Sequence, residues 1–194
     1  ACLLALGGCG EPKSGPIVVS AIGGEPALLN PNLKELSPAS SALLLATAQG
    51  LVRFDPAGQI EPALAQSWIV SDDGLRYTFR LARTEWSDGS EVTARQVVER
   101  LQAAMSDASE NPLKPLLGIV DEVEAMTDEV LEISLKTPRP DFLQLLAQPE
   151  MAILRDGVGT GPLHAVANAE GYISLHRPED EDESDTEEAE PVEE

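Results

Sequence analysis

Aromatic side chains are scarce in this chain. Phe, Tyr and Trp together make up 4% of its 194 residues. A core must therefore be assembled from Leu, Val, Ile and Ala, and the 42% apolar content allows one. Cysteine is nearly absent: Cys2 and Cys9 lie within the first ten residues, so the body has no thiols for a disulfide framework or a zinc site. Basic residues are few as well, 13 Lys and Arg against 34 Asp and Glu, for a formal charge of −21. Phosphate contacts need clustered Lys and Arg, so nucleic acid is excluded as a partner, and anionic membrane surfaces are disfavoured for the same reason. No apolar run is long enough to span a bilayer. The length suits one large domain or one and a half small ones.

The charge is unevenly spread. Residues 179–194, EDEDESDTEEAEPVEE, carry 11 of the 34 acidic groups and no basic one. From 178 to 194 the one apolar side chain larger than Ala is Val192. Repelling like charges with no apolar burial leave ordering entropy without an offset, so this segment is expected to be a disordered acidic tail or insert. At the other end, ACLLALGGCG has no initiator Met. Residues 2–6 resemble the end of a signal-peptide core, and Leu6-Gly7-Gly8-Cys9 resembles a bacterial lipobox. Cys9 is then the expected lipidation site, and residues 1–9 a signal remnant. The missing Met and charged leader predict truncation at this end.

Between these ends the chain reads as alternating strands and helices. Residues 10–16 are a Gly/Pro/Ser linker. Residues 17–22, IVVSAI, suit a strand buried on both faces of a parallel sheet. Ser37-Pro38 predicts an N-cap and first helical residue, with Gly50 closing a Leu/Ala-rich helix. Leu75, Tyr77, Phe79 and Leu81 alternate with polar residues, which predicts a half-buried antiparallel strand. Asp73-Gly74 turns it back onto residues 67–70. Thr93 and Gln96 fit a capping box. The helix that follows has Ala94, Val97, Val98, Leu101, Ala104 and Met105 on one face. Residues 119–126 and 130–136 form a second predicted hairpin. A short helix follows Pro140, with Phe142, Leu145 and Leu146 inward and Pro149 as its stop. Residues 151–154, 161–166 and 172–176 are shorter strand candidates.

Catalytic constellations fail on chemistry. In residues 72–89, DDGLRYTFRLARTEWSDG, the carboxylates Asp72, Asp73, Glu85 and Asp88 invite an acid/base reading. Such a pair needs one carboxyl desolvated, whereas Asp in an Asp-Gly turn accepts local amides and stays solvated. His164 and His176 are twelve residues apart, with no Cys neighbour and no HxxxH or HExxH spacing, and read as single surface histidines. Gly159-Thr160-Gly161-Pro162 lacks the phosphate-loop pattern, and Pro162 has no amide to donate, so a turn into a strand is expected. No catalytic residue, metal site or cofactor is expected.

Residues 61–101 resemble the signature region of the family 5 extracytoplasmic solute-binding proteins, the peptide, nickel and opine receptors of ABC importers. The residues that carry the resemblance are Ala65-Gln66-Ser67-Trp68, Asp73-Gly74, Tyr77-Thr78-Phe79-Arg80-Leu81, Trp86-Ser87-Asp88-Gly89-Ser90 and Thr93-Ala94-Arg95-Gln96-Val97. Leu29-Asn30-Pro31, residues 50–55, the hairpin 123–136 and Gly159-Thr160-Gly161-Pro162 agree in order, so the likeness runs from 17 to 177. The sequence departs from the family pattern at Asn30 (usually Asp), at Leu163 (usually Tyr), in a contracted spacer between Ile153 and Gly159, and in the acidic run.

The resemblance implies an α/β fold of the periplasmic binding protein-like class II type. It divides the chain into a first-lobe segment (17–46), an inserted domain (47–155) and a return to lobe one (156–177). The second lobe is missing, so the chain is expected to be an N-terminal fragment. It implies a receptor outside the cytoplasmic membrane that captures peptide-like or other small solutes and passes them to ABC permease subunits, without catalysis. By position in the family, Glu25, Pro26 and Ala27 would line the cleft. Trp86 would pack beneath the capped helix. The alternative reading is a lipid-anchored interaction module whose acidic tail contacts a basic partner.

Overall fold

The computed structural model describes residues 26–167 and 173–177. The apolar run at 17–22, Cys9, Glu25 and the acidic segment lie outside the described residues.

Helix α1 (Pro38–Thr47) starts where the sequence predicts: the Ser37 side chain accepts the Ser40 amide, and Pro38 takes the first position. It ends earlier than expected, at Ala48 in extended conformation. Gly50 is needed for a different reason. A Cβ there would meet the Leu146 carbonyl at 3.0 Å, so close backbone passage, not a helix cap, explains it. Strands β1 (Val52–Phe54) and β2 (Ile60–Pro62) form a small antiparallel ribbon.

The main sheet has four antiparallel strands in the order β3 (Ala65–Val70), β4 (Arg76–Leu81), β6 (Val130–Leu135), β5 (Val120–Ala125). Both predicted hairpins are present, and every ladder among the described residues is antiparallel. The alternation in β4 and β6 buries Tyr77, Phe79, Leu81, Leu131, Ile133 and Leu135 on one face. Helix α2 (Ala94–Met105) covers that face with Ala94, Val97, Val98, Leu101 and Ala104. Its capping box is complete: Thr93 accepts the Gln96 amide while the Gln96 side chain accepts the Thr93 amide. Helix α3 (Lys114–Leu117) leads into β5. The short helix α4 (Phe142–Leu146) adds Phe142, Leu145 and Leu146 to the core. The Phe142 ring packs 4.9 Å from that of Tyr77, whose hydroxyl donates to the Arg139 carbonyl at 3.1 Å.

The predicted strand at 151–154 is instead a 3₁₀ turn (Pro149–Met151) followed by a single bridge between Ile153 and Gln49. The run is too short and too close to Pro149 to make a ladder. Strands β7 (His164–Ala167) and β8 (Ile173–His176) form a separate ribbon.

One continuous core takes in residues from Leu51 to Ile153. A second, of Leu44, Ala48 and Leu154, lies under α1. Asn111, buried to 3% exposure, donates to the Asn32 side chain and the Glu150 carbonyl, both at 2.8 Å, and accepts the Leu113 amide. This tie fixes the entry loop at 30–34 against the body.

Candidate functional site

The chain enters along the flank of α1. The Ala27 amide donates to the hydroxyl of Ser40 at 3.1 Å. Ser40 is buried at 1% exposure, and its hydroxyl also accepts from Ser37 at 3.0 Å. A buried hydroxyl with one fixed donor neighbour holds that stretch of backbone in place. Pro26 is exposed, Ala27 is half-buried, and Leu28 stands 45% exposed. Asn30 shapes the next turn. The Asn30 side-chain oxygen accepts the Asn32 amide at 3.0 Å, a local bond that Asp and Asn make equally well.

Beside this entry lies a pocket of about 140 Å³, lined by Leu28, Thr47, Ser87, Val158, Gly159 and His164 among others. Gly159, on one side, begins the Gly159-Thr160-Gly161 segment, which is no phosphate loop. It crosses the end of α1 with backbone against backbone. The Gly161 amide donates to the Thr47 carbonyl at 2.9 Å, and the Leu163 amide to the Ala46 carbonyl at 3.2 Å. Two of the carbonyls that a helix end leaves unsatisfied are thus capped from a distant part of the chain. A Cβ on Gly159 would sit 2.3 Å from the Ala48 Cβ, and one on Gly161 would sit 2.2 Å from the Thr47 carbonyl carbon. Only glycine permits this approach. The Gln49 side chain adds a bond to the Thr160 carbonyl at 2.9 Å.

Just before that segment in the chain lies a residue that sequence reasoning passed over. Arg155 places its guanidinium 4.7 Å above the Trp86 ring. It pairs with Asp88 at 2.7 Å and donates to the Ser90 hydroxyl at 2.8 Å. The ring beneath it is buried at 4% exposure, with Nε1 donating to Gln96 at 3.0 Å, so Trp86 does pack beneath α2. Arg155 is aimed by a tight turn. Asp156 and Gly157 both have positive φ, 54° and 85°, and Arg155 and Val158 exchange backbone bonds across them. The Asp-Gly dipeptide was the available signal for this hairpin turn.

The aspartates of the 72–89 stretch serve turns. Asp73 accepts from Ser71 and from the Leu75 amide, which hold its carboxyl below the usual range. At Asp88 the Arg155 guanidinium, then the Ser90 hydroxyl and amide, depress the carboxyl strongly. A carboxyl held ionised and solvated is no general acid. Their partners Gly74 and Gly89 carry the positive φ, 67° and 78°, that such turns require. Glu122 is shifted the other way, mainly by the Glu124 carboxylate beside it. Both line an open, acidic groove of about 610 Å³ between α2 and β5, on a different part of the body from the entry segment.

The histidines are not separate features. His164 and His176 are directly opposite partners in the β7–β8 ladder. Among the described residues no group of three or more His, Cys, Asp or Glu could hold a metal ion, and no helix is long and apolar enough to cross a membrane.

Comparison with known proteins places this geometry. A profile of the bacterial extracellular solute-binding proteins, family 5 (middle), matches residues 59–192. A probable deoxycholate-binding periplasmic protein, YgiS of Escherichia coli (strain K12), is 32% identical over 145 residues, covering 66% of this chain and 27% of the relative. The glutathione-binding protein GsiB of the same strain is 30% identical over 159 residues, covering 75% and 31%. Among solved structures, AgaA of A. tumefaciens R10 in complex with agropinic acid superposes with a TM-score of 0.71 at 25% identity, over 81% of this chain and 35% of that one. NikZ of Campylobacter jejuni in complex with Ni(L-His) superposes at 0.66 with 26% identity, over 77% and 33%. The chain thus spans about a third of the length of the relatives it matches. Its fold is that of the family's periplasmic binding proteins, and by the profile match over most of its length the chain belongs to the bacterial extracellular solute-binding proteins of family 5.

Proposed function

We propose that this chain supplies the first-lobe wall and the inserted domain of an ABC-importer receptor that captures peptide-like solutes outside the cytoplasmic membrane and hands them to the permease. Family membership supports this reading. So does the pocket beside the entry segment, bounded by backbone that glycine contacts and Arg155 hold in place. The observation that carries it is the capping of α1 by Gly161 and Leu163, which fixes the 157–163 segment against the end of that helix with no titratable group in the joint. Such a wall can shape a cavity and present amides.

In this reading Glu25, Pro26 and Ala27 face the solute, with Glu25 meeting a cationic group or a ligand amide, and Leu28 forms the pocket lip. Residues 47–155 act as the inserted domain, a role suited to the large core from Leu51 to Ile153. Residues 156–177 rejoin the first lobe, and Cys9 carries the lipid that holds the receptor at the membrane. Closure of a second lobe over this wall would exclude water and strengthen polar contacts.

The test is to purify the protein without denaturant, extract it, and identify released solutes by mass spectrometry. A recurrent peptide-like molecule, lost on substituting Glu25→Ala and Leu28→Ala together, is the expected result. Recovery of no small molecule, with tight capture of a basic protein instead, would overturn it.

A further inference from the structure

We propose that His164 and His176 form a two-imidazole site for a borderline divalent transition-metal ion such as Zn²⁺. The proposal rests on the register of the β7–β8 ribbon, and His164 also lines the pocket beside the entry segment.

His164 pairs with His176, Ala165 with Leu175, Val166 with Ser174 and Ala167 with Ile173. Side chains alternate between the two faces of a ribbon. Leu175 is buried at 8% exposure, so the 165/175 pair turns toward the core. The 164/176 pair therefore shares the other face with Val166, which is 49% exposed, and Ser174. Both histidines are half-buried, within reach of solvent yet held by the ladder.

Directly opposite residues in an antiparallel pair place their Cβ atoms about 4.5–5.5 Å apart. A tetrahedral Zn²⁺ with Zn–N bonds of about 2.0–2.1 Å brings two nitrogens to roughly 3.3 Å from each other. Two imidazoles rooted about 5 Å apart reach that separation by rotating about χ1 and χ2, with no backbone movement. Each ring has two nitrogens, so one can ligate while the other donates to a neighbour, the usual arrangement at imidazole–metal sites. Imidazole selects zinc, copper and nickel over magnesium and calcium, which prefer oxygen. The formal charge of −21 concentrates divalent cations around the chain without choosing among them. The histidine pair supplies the choice. Its remaining coordination positions are left to water or to a group brought by another molecule.

The chain has two histidines, so its imidazole ¹⁵N spectrum contains these two rings and no others. The test titrates the labelled full chain with ZnCl₂, and separately with MgCl₂. Both imidazoles are expected to shift together at a single Zn²⁺ midpoint and to ignore Mg²⁺. Loss of a histidine's hydrogen-bond partner alone costs about tenfold in metal affinity. Removing a whole ligand by His164→Gln or His176→Gln should therefore move the surviving ring's midpoint up by about tenfold or more. His164→Asn and His176→Asn serve as second variants where Gln perturbs the amide spectrum. Separate midpoints for the two rings, an unchanged midpoint in the single variants, or equal shifts with Mg²⁺ would each overturn the proposal. The last outcome would mean that the rings sense cations gathered by the carboxylates.

Discussion

Two regions of the molecule are held together in different ways. The four-stranded sheet and α2 are joined by side chains, in a continuous buried core that includes Phe79 and Leu131 at 0% exposure. Among the described residues, the junction of α1 with residues 157–163 has a small core of Leu44, Ala48 and Leu154, with Leu36 and Ala152 packed against it. Backbone bonds and glycine contacts supply the rest. Apolar burial is non-directional and stabilises in proportion to area. A backbone joint contributes little stability but fixes position closely. The frame sits in the first region and the pocket wall in the second, so stability and pocket geometry should respond to different substitutions.

The largest expected effect lies in the frame. Phe79→Ala removes a fully buried ring from a central strand and should cost about 3–5 kcal/mol in denaturant unfolding. A cost below that of the junction variant would break the comparison.

The junction variant is Gly161→Ala. Its Cβ would strike the Thr47 backbone, so about 1–3 kcal/mol of overpacking is expected. Its signature is local: faster amide exchange at Gly161 and Leu163, with the amides of β4 and β6 unchanged. Uniform loss of protection across the sheet would show that the two regions are one cooperative unit.

Thr93→Ala tests the frame more gently. It removes half of the α2 capping box and should cost about 1 kcal/mol. The lost protection should be confined to the first turn of the helix.

The smallest effect concerns acid. Asp88 is depressed by Arg155 and Ser90, so its folded pKa lies below its unfolded value. The stabilisation it gives is then fully present above the ordinary carboxylate range, near pH 4, and is lost as pH falls through the folded value. Unfolding midpoints measured from neutral pH downward should decline in acid, and Asp88→Asn should flatten that limb. An unchanged limb in the variant would sever the Arg155–Asp88 contact from stability.

The same contrast explains how much was legible in the sequence. Period-two alternation from Leu75 to Leu81 and the spacing Ala94-Val97-Val98-Leu101 encode side-chain burial, and both elements follow from them. Thr93 and Gln96 encode a local bond and are as readable. The junction is encoded by what glycine lacks. Nothing in Gly159-Thr160-Gly161 says which backbone will pass beside it, and the partner, Thr47, lies more than a hundred residues away. Arg155 was missed because its partners, Trp86, Asp88 and Ser90, are also remote in sequence. The Asp156-Gly157 turn beside it was readable and marks the place. The histidine pair was hidden for a related reason: its strands are short and weakly patterned, so register, which sequence spacing alone did not fix, decides that His164 faces His176. The Ile153 segment was read as a strand because apolar runs of that length do not distinguish a bridge from a ladder.

The most direct test of the central claim is hydrogen exchange on the protein with and without a mixture of short peptides, followed by analysis of the recovered peptides. The account predicts slower exchange at residues 27–28 and 157–163, no change at 72–84, and peptides returned intact. Protection centred on 72–84, or peptides returned cleaved, would contradict it.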